Sequence, residues 1–329
     1  MRIMPWILTF AVLAVVGTLL LCTLTACGDT GPKEKSPIDG ARAFAHVKAM
    51  VDFGPRPAGT AALRQNRDYI VDELKKLGMT PKVDSFEDPA KAPGITFHNV
   101  ECEIAGTKAD EKRILILGSH YDTKKTDVPD RPSDGPDQFV GANDAASSSG
   151  LLIELAQWLV KNPLQCPTLL LWFDGEESIP WEWGSGDRAL FGSKHAADKL
   201  SRRFDRKLGR NVIAMVLLDM VGAKDLHIVE DTDSSPDLIA LFKATAEDLG
   251  YGKHFFKSSL PVTDDHVPFK QRGVRVIDLI QFGGNDRSGV SPWWHTHEDT
   301  LDILSPDSLS IVGHVVVRAL PKIVAEAVK

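Results

Sequence analysis

The pentapeptide Phe173-Asp174-Gly175-Glu176-Glu177 closes an apolar run over residues 168–172. A run of that length and composition predicts a buried strand. Adjacent carboxylates at the end of a buried strand are costly unless a cation or a proton sits beside them. Neighbouring side chains also point in different directions, so one glutamate can hold a metal while the other faces a reacting centre. That division of labour suits metal-assisted acid/base chemistry. A solvated Asp-Gly turn leading into a helix is the plainer alternative for these five residues alone.

Matching groups recur along the chain. Residues 113–119 form another apolar run, ending in His120-Tyr121-Asp122, whose His and Asp are two apart and so share a face. Asp144 follows Phe139-Val140-Gly141-Ala142-Asn143 and precedes an apolar helix over 151–159, and Asp219 ends the run 212–218. A fourth run, 274–280, leads into a Gly/Ser/Pro-rich loop carrying Trp293-Trp294-His295-Thr296-His297. In open α/β sheets, ligands bind beyond the carboxyl ends of the strands. Acidic and imidazole side chains gathered at those ends form a candidate site for a metal with N and O ligands.

Together, His120-Tyr121-Asp122, Gly141-Ala142-Asn143-Asp144, Asp174-Gly175-Glu176-Glu177, Leu218-Asp219 and Trp294-His295-Thr296 resemble the zinc exopeptidase superfamily of the aminopeptidases. Phe139-Val140-Gly141-Ala142, the segments 187–193 and 217–223, and Asp264-Asp265-His266-Val267-Pro268-Phe269 resemble more closely its animal-type glutaminyl-peptide cyclotransferases. The resemblance spans residues 40–329. It implies one zinc per chain, held by Asp144, Glu177 and His295, with Glu176 as general acid/base. It further implies that Asp219 and Asp264 share a hydrogen-bond relay and that Trp294 and Trp183 wall a substrate pocket. The loop 178–186 is one residue longer than the animal pattern, which leaves Trp181 as a substitute for Trp183. Asp278 stands where the animal proteins carry a His, making the relay more acidic, and is assigned with the tryptophans to the substrate side. The implied reaction closes an N-terminal glutamine of a peptide or protein to pyroglutamate with release of ammonia. The rival on the same scaffold is a two-zinc aminopeptidase, with His120 and Asp219 completing a second site and Asp144 bridging. A binding module that has lost the chemistry is disfavoured, because no ligand or base is missing.

Several other polar groups are expected to be bystanders. His46, His195 and His314 lie on predicted helices, where surface or cap roles are expected. Ser147-Ser148-Ser149 reads as a helix start rather than a nucleophile, since Gly-x-Ser-x-Gly is absent. Gly54-Pro55-Arg56-Pro57-Ala58-Gly59 reads as an interhelical turn fixed by a salt bridge of Arg56. His297 and its neighbours Glu298 and Asp299 compete with His295 as ligands, and the resemblance favours His295.

These groups need a scaffold. Helices are predicted over 41–52, 61–77, 151–160, 187–200, 235–249 and 305–328, and strands over 80–86 and 98–104 besides the four apolar runs. That alternation predicts a single α/β domain with a mostly parallel sheet flanked by helices on both faces. At 329 residues and 43% hydrophobic, the chain is long enough to bury one large core. The N-terminus reads differently. One Arg, an apolar run over 7–21 and Leu24-Thr25-Ala26-Cys27 describe an export signal. Leu-Thr-Ala-Cys resembles the bacterial lipoprotein box, which implies a signal over 1–26, a lipid on Cys27, a tether over 27–37 and a catalytic domain over 38–329. The expected location is therefore a bacterial membrane, on its exported side. With residues 1–26 removed, 37 basic residues face 45 acidic ones, a net charge of −8. That balance argues against nucleic-acid binding. Cys102 and Cys166 remain, either as two buried thiols or as one disulfide.

Overall fold

The computed structural model describes residues 33–131, 138–183, 187–283 and 290–328. Two helices come first, α1 (Gly40–Val51) and α2 (Ala61–Lys76), capped by Asp39 and Thr60, whose side chains accept the N–H groups of Arg42 and Leu63. The strands β1 (Lys82–Glu87), β2 (Thr96–Ile104) and β3 (Ile114–His120) follow, then α3 (Ser148–Lys161), β4 (Thr168–Phe173), α4 (Phe191–Arg203), the single turn α5 (Leu208–Asn211) and β5 (Val212–Asp219). A short pair of parallel strands, β6 (Ile228–Asp231) and β7 (Phe255–Leu260), encloses α6 (Pro236–Leu249). The turn α7 (Val267–Lys270), β8 (Val276–Ile280) and α8 (Pro306–Ala327) complete the chain.

Six strands make the main sheet in the order β1-β2-β4-β3-β5-β8. Four of them, β4, β3, β5 and β8, are mutually parallel, while β2 joins β4 and β1 joins β2 antiparallel. The central strands alternate with period two. Leu115, Leu117, Leu170, Trp172, Ala214, Val216 and Leu218 face the core beneath α1, α3, α6 and α8. Ile116, Leu169, Leu171, Met215 and Leu217 face a second core with Ala197 and Leu200 of α4 and Phe269 of α7. Both faces are dry, which is why these strands read as continuous apolar runs rather than as alternating ones. Helix α8 is long and apolar enough to cross a membrane, but 67% of its apolar window is buried inside the protein. Its hydrophobicity serves the core.

The chain leaves β3 through α3 to β4 on one side and returns through α4 to β5 on the other. That reversal opens a crevice at the carboxyl ends of the strands, the place where open α/β sheets bind ligands. Packing beneath it is tight. A Cβ on Gly118 would stand 2.7 Å from the Phe173 ring and 3.2 Å from Met215 Cε. Gly118→Ala is therefore expected to destabilise the fold by about 1–3 kcal/mol through overpacking, read as a lower denaturant midpoint with an unchanged slope. Cys102 and Cys166 are both buried and free, so no disulfide joins them.

Candidate metal centre and cavity

The end of β5 and the segments that follow β3, β4 and β8 bring polar groups to the crevice. Asp174 and Glu177 follow β4 and are 1% and 5% exposed, which excludes a solvated turn. Gly175 permits the bend, with φ of 73° and the Phe97 ring standing 2.4 Å from where a Cβ would be. Asp144 lies in the buried segment Ala142–Ser147 that enters α3. His295 comes from the loop after β8 with φ of 53°, an uncommon conformation for a residue with a side chain. Strain of this kind concentrates at functional sites. Its ring is held by Trp294, stacked at 3.9 Å, and by the edges of Phe139 and Trp181 at 5.5 and 6.2 Å.

Asp144, Glu177 and His295 converge. His295 Nε2 lies 3.0 Å from Glu177 Oε1 and 3.4 Å from Asp144 Oδ2. One ligand atom from each lies within 4.8 Å of the others. Burial opposes a charged imidazole, but Glu177 and Asp144 outweigh it and lift His295 to about 9. The ring must shed that proton before it can ligate a metal. Burial likewise opposes the ionised form of Asp144, yet hydrogen bonds from His120 and His295 hold its carboxyl below the ordinary value. Glu177 Oε2 is buried and accepts no hydrogen bond among the described residues, which leaves a lone pair for a cation. Two carboxylates and an imidazole are a donor set that fits zinc.

A second cluster shares Asp144. His120 Nε2 is 3.2 Å from Asp144 Oδ1 and 3.2 Å from Asp219 Oδ1, again with one atom of each residue within 4.8 Å. The ligand types of a two-metal centre are thus assembled, as the aminopeptidase alternative requires.

A cavity of about 210 Å³ opens above these groups. That is smaller than the roughly 300–1,000 Å³ typical of pockets for drug-sized molecules and suits a single amino-acid residue. Asp144, Glu176, Glu177, Asp219, Asp264 and His295 make its polar floor. Met220, Val262, Ile280, Phe282, Trp183 and Trp294 supply apolar walls. Trp183 lines the cavity, whereas Trp181 packs edge-on against His295 and beneath the Lys124 ammonium, 5.8 Å from its ring. Burial, with Asp264, Glu177 and Asp265 nearby, pushes Glu176 well above the usual carboxylate range, against the opposing effect of His120. Burial likewise lifts Asp219 to about 7 and raises Asp264.

Asp278 is a correction. The resemblance places it on the substrate side, but it does not line the cavity. In β8 it pairs with Leu217, whereas the cavity-lining Ile280 pairs with Asp219. Asp278 therefore sits two residues, about 6.6 Å, deeper in the sheet. It is fully buried there, 3.6 Å from His266 Nδ1, and its carboxyl is pushed well above the ordinary range by burial and by Asp264, Asp231 and Asp219.

Arg56 is a second correction, because among the described residues no salt bridge fixes its turn. Its guanidinium is fully buried and donates to the carbonyls of Met50, Gly54, Val140 and Gly141. His314, expected at the surface or at a cap, is buried against Glu34 and Tyr251. The three serines behave as expected, buried and donating to backbone carbonyls, with Ser148 Oγ also accepting from Ser119 Oγ. His297 is exposed while Asp299 is buried. The residues missed from sequence include Lys124, fully buried with its Nζ 4.0 Å from Glu177 Oε2 and donating to Ser178 and Pro180. The signal was its spacing, since His120, Asp122 and Lys124 alternate along an extended segment. Residues 1–32, including the proposed signal, Cys27 and most of the tether, lie outside the described residues.

Residues 99–320 match the family model for Peptidase family M28. The glutaminyl-peptide cyclotransferase of Drosophila melanogaster is 30% identical over 298 residues, covering 81% of this chain and 78% of that protein. Among solved structures, an Acidobacteriales bacterium glutaminyl cyclase superposes with a TM-score of 0.76 at 32% identity, covering 88% of this chain and 96% of that one. The Porphyromonas gingivalis glutaminyl cyclase gives 0.74 at 28% identity, covering 87% and 98%. With that coverage by the family model and by relatives of this similarity, the chain belongs to Peptidase family M28, in its glutaminyl-peptide cyclotransferase branch.

Proposed function

We propose that this enzyme converts an N-terminal glutamine of peptides or proteins to pyroglutamate, using one zinc held by Asp144, Glu177 and His295. The observation that carries the reading is the cavity itself. It is sized for one residue, walled by Trp183, Trp294 and Phe282, and floored by the metal cluster with Glu176 beside it. When bound, the zinc would act as a Lewis acid on the γ-carbonyl of the glutamine.

The protein's own groups do the rest. The apolar walls hold the glutamine side chain folded back on its α-amine, an orientation effect that replaces a costly loss of entropy during reaction. The amine nitrogen attacks the carbonyl carbon of the side-chain carboxamide and becomes cationic, and Glu176 takes its proton. The bond from that carbon to the carboxamide nitrogen then breaks, Glu176 returns the proton to the departing nitrogen, and ammonia leaves. Such a shuttle works best with a pKa near the working pH, which burial and the neighbouring carboxylates favour for Glu176. Asp219 and Asp264 line the same cavity, and the charge of Asp264 raises both Glu176 and Asp219, so the three titrate as a group.

The His120–Asp144–Asp219 cluster supports a second reading, a two-zinc aminopeptidase. One incubation separates the two. A Gln-initiated peptide treated with the purified domain should lose the mass of one ammonia. Loss of a whole residue would overturn the cyclase reading in favour of the aminopeptidase.

We also propose that the protein is exported and tethered to a bacterial membrane through a lipid on Cys27, on the strength of the Leu-Thr-Ala-Cys box. Cys27→Ala should abolish metabolic lipid labelling and either release the protein to the soluble fraction or leave it unprocessed. Unchanged membrane retention with an intact N-terminus would instead identify residues 7–21 as a permanent anchor.

A further inference from the structure

Two buried aspartates outside the ligand set share an unusual arrangement. Asp122 accepts the backbone N–H groups of Glu176 and Glu177, at 3.2 Å on Oδ1 and 3.3 Å on Oδ2. Asp299 accepts those of Asn143 and Asp144, at 2.6 Å on Oδ1 and 3.0 Å on Oδ2. Each carboxylate therefore spends one oxygen on each of two consecutive amides, and in each pair the second amide belongs to a residue of the metal cluster. Both aspartates are fully buried. Glu176 and Glu177 lie outside any helix or strand, and Asp144 has non-helical backbone angles within the turn Ala142–Ser147.

The two grips are joined. Asp122 is adjacent to Thr123, which exchanges two hydrogen bonds with Arg56: Arg56 N donates to Thr123 Oγ1 and Thr123 N donates to the Arg56 carbonyl. The Arg56 guanidinium in turn donates to the carbonyls of Val140 and Gly141, immediately before the segment that Asp299 holds. Arg56 thus lies between the two carboxylates as a buried cation, and the attraction of Asp299, Asp122 and Asp144 for its charge opposes the effect of its burial. Asp299 also stands four residues after His295, so it ties the loop bearing one ligand to the segment bearing another.

We infer that Asp122 and Asp299 are positioning residues that set the backbones of Glu177 and Asp144 before a metal arrives. The inference rests on Asp144, Glu177 and His295 being the zinc ligands. A carboxylate with two charge-assisted acceptors suits two parallel N–H donors, whereas an amide offers one acceptor and turns a donor towards the other N–H. Groups that orient metal ligands from behind typically contribute 10–100-fold to metal affinity.

The test is zinc competition against a chromogenic chelator, with thermal stability of the metal-free protein measured alongside. Asp122→Asn and Asp299→Asn are each expected to weaken zinc binding by about 10–100-fold. Asp122→Glu and Asp299→Glu keep the charge but displace it, so they serve as second variants where the Asn form fails to fold, and they should weaken zinc binding too. Glu154→Gln is the control. Glu154 is a buried carboxylate paired with Arg42 at 2.6 Å, away from the cavity, and its loss should lower stability while leaving zinc affinity unchanged. Wild-type zinc affinity in the folded Asp122 and Asp299 variants, with only stability reduced, would overturn the inference. His295→Ala separates the two levels of failure: if it too keeps wild-type affinity, the ligand assignment has failed rather than the positioning role.

Discussion

Glu176→Gln is expected to lower turnover by about 10²–10⁴-fold while zinc content and substrate affinity stay near their wild-type values. The amide preserves the shape of the side chain and a hydrogen bond but can neither accept the amine proton nor return it to the departing nitrogen. Glu176 N is fixed by Asp122 Oδ1, and the side chain lies beside the metal cluster rather than within it. The substitution therefore leaves the proposed ligands intact. Glu177→Gln should do the opposite. A neutral amide is a poorer ligand than a carboxylate, so zinc affinity falls first and excess zinc restores part of the activity. Loss of metal from the Glu176 variant with retention in the Glu177 variant would show that the two roles are reversed. Unchanged lactam formation in both would show that the reaction takes place elsewhere.

The layout of this site was legible where it depends on local pattern. The strands β3, β4, β5 and β8 lie inside the sheet, covered on both faces, so each appears in sequence as an apolar run. A polar residue closing such a run stands out, which is how Asp219, Glu176 and Glu177 were found. The small sheet of β6 and β7 left no such trace. Ile228–Asp231 has four residues, and Phe255–Leu260 is exposed at Lys257, Ser258 and Ser259. Neither is long or apolar enough to exceed the noise of loop composition.

Depth within a strand was not legible either. Asp278 and Ile280 share a face two residues apart, and only the register with β5 shows that Asp278 lies beneath the cavity while Ile280 borders it. The roles of Arg56, Lys124, Asp122 and Asp299 are not legible in the sequence for a related reason. Their partners are mostly backbone N–H and C=O groups of distant segments. Every residue carries such groups, so no pattern of side-chain types marks the ones that will be gripped.

Removing the metal, or the ligand that holds it from the last loop, should have the other large effect. Exhaustive chelation of the wild-type protein is expected to abolish lactam formation, and zinc to restore it. His295→Ala should reduce bound zinc after dialysis from about one per chain to a small fraction of that, because a structural or catalytic zinc requires at least three protein ligands and only Asp144 and Glu177 would remain. The ring also contributes to the site's electrostatics: its loss leaves Asp144 and Glu177 facing one another without the group that sits 3.4 and 3.0 Å from them. Two carboxylates so placed repel unless one takes up a proton, and that proton competes with the metal. His120→Ala discriminates between the one-zinc and two-zinc readings. His120 lies 3.2 Å from both Asp144 and Asp219 but outside the Asp144–Glu177–His295 cluster. In a one-zinc cyclase its removal leaves the zinc count at one, since the proposed ligand set is intact. In a two-zinc aminopeptidase the wild-type count is two and the variant loses one of them. Elemental analysis of the wild-type protein and the two variants, each paired with the mass change of a Gln-initiated peptide, therefore decides both the metal count and the reaction.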